Sequence, residues 1–77
     1  MNIEERIREI MVKLLNVKPG EITPHANLEN DLGMDSTEIV EMTVALEKAF
    51  GIQIDDGEIT KNQSIGDVVE LVHHRVK

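Results

Sequence analysis

The sequence predicts an all-α fold: a small four-helix bundle of three main helices and one short third helix, with a long first loop. Three observations carry this expectation. Apolar residues return every three or four positions in three separate stretches, which is the spacing of a helix face. Two of those stretches open on a capping pair, Asp35 with Glu38 and Ser64 with Asp67, where side chains satisfy the free amides of a first helical turn. The one stretch that reads as extended, residues 52–54, is too short for a convincing strand.

The first helix runs over roughly Ile3–Leu15. Ile3, Ile7, Ile10 and Leu14 line one face, Met11 and Leu15 widen the stripe, and Glu4, Glu5, Arg8 and Lys13 fall elsewhere. Pro19-Gly20 ends it and opens a loop over residues 17–33. Ile22, Leu28 and Leu32 are expected to pin this loop across the core. A loop of that length with no element of its own is often functional. The second helix begins at Ser36, capped by Asp35, and continues to about Phe50, with Gly51 as its stop. Ile39, Thr43, Leu46 and Phe50 face inward, flanked by Met42 and Ala49. Thr43 is polar at that position, and a hydrogen bond to the carbonyl of the preceding turn would let it stay there. Residues 57–61 are expected to form the short third helix, carrying Ile59 inward. The final helix starts after Ser64 and buries Ile65, Val68, Val69 and Val72.

Seventy-seven residues suffice for one domain over residues 1–77 and for no second core. With one Phe and no Tyr or Trp, that core must be built from Ile, Leu, Val and Met. A catalytic cleft of ordinary size would take volume this chain barely has. The net charge of -7 is unevenly spread: residues 27–58 hold nine acids against the single base Lys48, while the remainder holds six acids and seven bases. Such a field disfavours nucleic acid and anionic membranes and draws in basic protein surfaces. There is no cysteine, hence no disulfide and no thiol of the chain's own. No signal-like segment precedes the first helix and no run approaches membrane-spanning length, so a cytoplasmic monomer without stable membrane insertion is expected.

The sharpest local signal is Leu32-Gly33-Met34-Asp35-Ser36. The glycine can take a turn conformation closed to other residues, the aspartate caps, and the serine lands in the first helical turn. A phosphate on that hydroxyl would lie near free amides and the positive end of a helix. From the pattern alone, Asp35 and Ser36 read equally well as ordinary capping residues. Other clusters are weaker. Asp31, Asp35 and Glu38, or Asp55, Asp56 and Glu58, match no EF-hand spacing. His73 and His74 are adjacent, so on a helix they point apart, and His25 sits in the loop.

Asp35-Ser36, with Leu32-Gly33-Met34 before it and Val40-Glu41, Ala45-Leu46-Glu47 and Phe50-Gly51 after it, resembles the serine helix of the acyl carrier protein family, in its discrete type II form. The likeness extends to the first helix, to Pro24, Asn27 and Leu28 in the loop, to Ile54, and to the valine-rich closing helix. It implies that a phosphopantetheinyl transferase moves 4'-phosphopantetheine from coenzyme A to Ser36, beside Asp35. The terminal thiol would then carry acyl groups between enzymes of fatty acid or related acyl synthesis. Ser36 would be an attachment point and not an activated nucleophile, in a protein that is a substrate of enzymes and not itself one. The implied partners are basic-surfaced synthases, reductases, dehydratases and acyltransferases. If the acyl chain folds back into the bundle, its lining would come from Leu28, Ile39, Met42, Thr43, Leu46, Ile54, Ile59 and Val68, each of which is equally a core residue. Thr37 departs from the family's usual leucine and points to a specialised carrier or a shifted partner surface.

At 100° per residue, Thr37, Val40, Glu41, Val44 and Lys48 fall opposite the inward side of the second helix, with Glu47 at the edge and Lys48 as a break in the acidic pattern. Two valines among acids read on their own as ordinary surface residues; their position just after the serine that the resemblance marks for the arm makes this the expected docking face. Two alternatives stay open: a polyketide or other secondary-pathway carrier, and a helical adaptor that is never modified.

Overall fold

The computed structural model describes residues 2–76. Three α-helices, α1 (Ile3–Leu15), α2 (Ser36–Phe50) and α3 (Ile65–Arg75), surround one aliphatic core, and α1 packs against both of the others. Among the described residues there is no strand; a lone antiparallel bridge joins Asn27 to Ser64. Among the described residues no helix is long and apolar enough to cross a membrane.

The caps explain why the helices begin where they do. Asn2 accepts the Glu5 amide at 2.8 Å at the start of α1. At α2, Asp35 and Glu38 exchange bonds, each accepting the other's amide, at 2.9 and 3.1 Å. Ser64 and Asp67 do the same at α3. Each exchange satisfies donors that the helix ladder leaves free. The end of α1 corrects the expectation that Pro19-Gly20 stops it: Asn16 closes the helix in a left-handed conformation, φ 55°, and Pro19–Glu21 forms a single 3-10 turn. An Asn at a left-handed cap is tolerated because its short polar side chain bonds locally.

The buried faces lie slightly off the expected axes. In α1 the fully buried side chains are Ile7 and Met11, with Ile3, Ile10, Leu14 and Leu15 half-buried on either side. In α2 Met42 and Leu46 are fully buried and Ile39 nearly so. Thr43 is half-buried at the flank and donates its hydroxyl to the Ile39 carbonyl at 2.8 Å, as expected. Phe50 is also half-buried, under the Arg6 guanidinium, which lies 4.7 Å from the ring centre and donates to the Ala49 carbonyl. In α3 Ile65, Val68 and Val72 are buried and Val69 only partly so.

The short third helix expected over residues 57–61 is not formed, so the described residues hold three α-helices where four helices were expected. Gly57 adopts φ 87°, outside any right-handed helix. The segment closes instead as two turns, Glu58 N to Asp55 O and Gln63 N to Thr60 O. Five residues form too few helical bonds to offset nucleation, and Ile59 reaches the core without a helix.

Candidate functional site

The approach to Ser36 is held by Asn27. Its side-chain oxygen accepts the amides of Glu29 and Asn30 at 3.0 and 2.8 Å, and its side-chain nitrogen donates to the Asn62 carbonyl. Backbone bonds from Leu28 to Gln63 and from Glu29 to Lys61 extend the seam. Lys61 adds an ion pair to Glu29 at 3.3 Å. The chain then reverses through Gly33, whose φ of 67° a side chain would strain. Met34 turns wholly into the core, 1% exposed, with its amide on the Leu28 carbonyl. Asp35 follows as the cap of α2, and Ser36 emerges exposed at the first helical position.

Next to Ser36 an open groove of about 470 Å³ runs between α2 and the turns over residues 56–61, walled by Ile39, Val40, Ile59 and Lys61 among others. It leads into a narrower recess of about 140 Å³ reaching Thr43, Val44, Glu47 and Ile54. Of the eight residues expected to line an acyl pocket, Ile39, Thr43, Ile54 and Ile59 border this recess. Leu28, Met42, Leu46 and Val68 lie behind it in the closed core, each fully buried.

The expected docking face is solvent-facing at four of its five positions. Val40 is 61% and Val44 42% exposed, and Thr37 and Glu41 are exposed. Glu47 differs: it is half-buried, and its carboxylate accepts the Ile54 amide at 2.9 Å. Val40 and Val44 also border the groove, so docking face and groove share a margin that the sequence reading kept apart.

A second charged feature escaped the sequence entirely. Arg75, in the last turn of α3, donates to the Gln53 carbonyl at 2.9 Å and to both carboxylate oxygens of Glu58, Oε2 at 2.9 Å. The Arg75 hydrogen bond, helped by the Asp55 amide, holds the Glu58 carboxyl below the usual glutamate range; the same bond raises Arg75. No local pattern marks a pair 17 residues apart. Asn27 was more legible, since an Asn side chain readily bonds the backbone two residues on and so mimics a turn. Among the described residues no group of three or more His, Asp or Glu is arranged to hold a metal, and His25, His73 and His74 are exposed.

A capped helix holds Ser36 exposed at its first turn, beside an open groove. The chain belongs to the phosphopantetheine attachment site family, whose model matches residues 5–72. It is therefore a phosphopantetheine-carrying protein, of a class that a phosphopantetheinyl transferase modifies, that engages other enzymes, and that is in general non-catalytic. The cofactor is covalently attached 4'-phosphopantetheine.

Proposed function

We propose that Ser36 is the residue that receives 4'-phosphopantetheine from coenzyme A, and that the protein ferries acyl groups between enzymes of fatty acid or related acyl synthesis. The observation that carries this is the exposed Ser36 hydroxyl at the start of α2, opening onto an apolar groove. The other serine is a poor rival. Ser64 Oγ accepts the Asp67 amide at 3.3 Å and lies 3.2 Å from the Asp67 carboxylate, so it is occupied as a cap and half-buried.

When bound, the arm supplies the thiol that this cysteine-free chain lacks. The protein's own part is to hold Ser36 still, through the Asp35–Glu38 exchange and the buried Met34. Acyl cargo would enter past Ile39, Thr43, Ile54 and Ile59, with Leu28, Met42, Leu46 and Val68 as the depth available if the core parts. Basic synthases, reductases, dehydratases or acyltransferases would cover Thr37, Val40, Glu41 and Val44. Glu47 would act from the groove edge, since its carboxylate is engaged with Ile54. Thr37, exposed at the start of that face, favours a dedicated set of partners over general service.

Intact mass after incubation with coenzyme A and a transferase is the test. Wild type should gain one phosphopantetheine on the peptide containing Ser36, and Ser36→Ala should stay folded and gain none. An arm found on Ser64, or on Ser36→Ala, would overturn the assignment.

A further inference from the structure

The segment between α2 and α3 forms the groove wall that faces α2, yet it has neither helix nor ladder of its own. Side chains from the helices hold it. From α2, the Glu47 carboxylate takes the Ile54 amide at 2.9 Å. From α3, Arg75 takes the Gln53 carbonyl with one guanidinium nitrogen and the Glu58 carboxylate with two. Glu58 in turn accepts the Asp55 amide at 2.7 Å, drawing the turn closed. Arg75 thus grips the wall at both ends of residues 53–58, the segment that carries Ile54, and just ahead of Ile59; both isoleucines are 6% exposed.

We propose that Arg75 is a positioning residue for the cargo groove: its forked grip on Gln53 and Glu58 holds the wall against α2 and sets the threshold an acyl chain must overcome to enter. This rests on the carrier reading above. The recess is small as it stands, about 140 Å³, so a longer chain must displace the wall outward, and the wall is tied to α3 through Arg75. A planar guanidinium suits the task because its fixed fork serves a carbonyl and a carboxylate together, which an ammonium cannot. The grip is also releasable. Arg75 and Glu58 are 34% and 25% exposed, so parting them strands no deeply buried charge, and the three helices keep their own packing.

Two measurements test this. In the unmodified protein, amide hydrogen exchange at Ile54, Asp55 and Glu58 should quicken about tenfold in Arg75→Gln and in Glu58→Gln, with core amides of α1 and α2 unchanged. Arg75→Lys should fall between these and wild type. In protein carrying an octanoyl group on its arm, Arg75→Gln should let the chain enter more readily and so slow its release by hydroxylamine severalfold, while an acetyl group, too short to enter, is released at the wild-type rate. Unchanged exchange over the wall, or a rise shared equally by α1 and α2, would overturn the grip. Octanoyl and acetyl release shifting together, or neither shifting, would overturn its link to cargo. A wild-type protein that never accepted the arm would instead refute the carrier reading and the cargo link with it, and the exchange rates would still judge the grip.

Discussion

Gly66 shows how a single missing methyl can fix where two segments meet. It lies in the first turn of α3, its amide bonds the Pro24 carbonyl at 2.9 Å, and a Cβ built there would stand 3.1 Å from that same oxygen. Pro24 has little freedom to retreat, being a proline held by the bond itself. Gly66→Ala should therefore lower stability by about 1 kcal/mol, the crowding outweighing the better helix propensity of alanine; the urea midpoint reads this directly. Glu58 supplies a second test. Its carboxyl is held below the ordinary value of 4.5 by Arg75 and by the Asp55 amide, so the folded state binds this proton less readily than the unfolded chain. The contribution is thus fully present above the ordinary glutamate value and lost as pH falls through the lowered folded one. The difference in melting temperature between wild type and Glu58→Gln should be largest near neutral pH and shrink in acid below 4.5. A difference that grew in acid would show that the Arg75 contact does not favour the charged form.

The elements divide by how local their causes are. α2 and α3 were legible because each start is written within four residues, as Asp35 with Glu38 and Ser64 with Asp67. The burial of Ile59 was legible for the same reason, an apolar residue among polar ones, but its setting was not. The turns over residues 55–63 depend on Arg75 reaching back from the end of α3 and on Gly57 adopting a positive φ. No window of sequence short enough to read by periodicity contains both ends of that contact. Within the candidate site, Asp35 was legible as a cap from its spacing to Glu38, and Ser36 as a site only through the family resemblance. The groove beside them was not legible, since its walls come from α2 and from turns 20 residues later. The long loop belongs with the non-local group. Asn27 joins it to the Asn62 carbonyl, 35 residues on, while also holding the Glu29 and Asn30 amides. Asn27→Ala removes all three bonds at once. It should cost about 2 kcal/mol, while Asn27→Asp, which keeps the acceptor and loses the donor, should cost less. Chemical denaturation of both variants decides how much of the hold on the loop comes from this side chain and how much from its backbone bonds and buried Ile22 and Leu28.

Across the whole molecule, the acids of residues 27–58 prove to have different duties. Glu29 pairs with Lys61, Glu58 with Arg75, and Glu47 holds a backbone amide. Asp35 and Glu38 cap α2. Glu41 is exposed on the same helix face as Val40 and Val44, and the docking proposal therefore weighs most heavily on it. In the pantetheinylated protein, Glu41→Lys should slow transfer to a basic partner on the order of tenfold at low salt, with the deficit shrinking as ionic strength rises. Val44→Ser should weaken the complex severalfold at every salt concentration, because it removes desolvated contact area and not charge. Initial rates at several salt concentrations separate the two. If both variants matched wild type while changes on α1 did not, the partner surface would have to be moved to α1.

With Ser36 as the proposed attachment point, Met34 would bear on the reach of the arm. The backbone two positions upstream of that hydroxyl is plugged into the core by a side chain 1% exposed, and the position immediately upstream is tied by the cap. A load on the proposed arm would consequently swing from a fixed hinge post at its root. Its sweep is a sphere with a radius set by the tether alone, with no slack contributed by the long loop. For an enzyme receiving the load, the depth at which the cargo arrives is then decided once the protein surfaces meet. The distance from α2 to a partner's reactive centre becomes a ruler, and a centre that lies beyond it is out of bounds however tightly the two proteins bind.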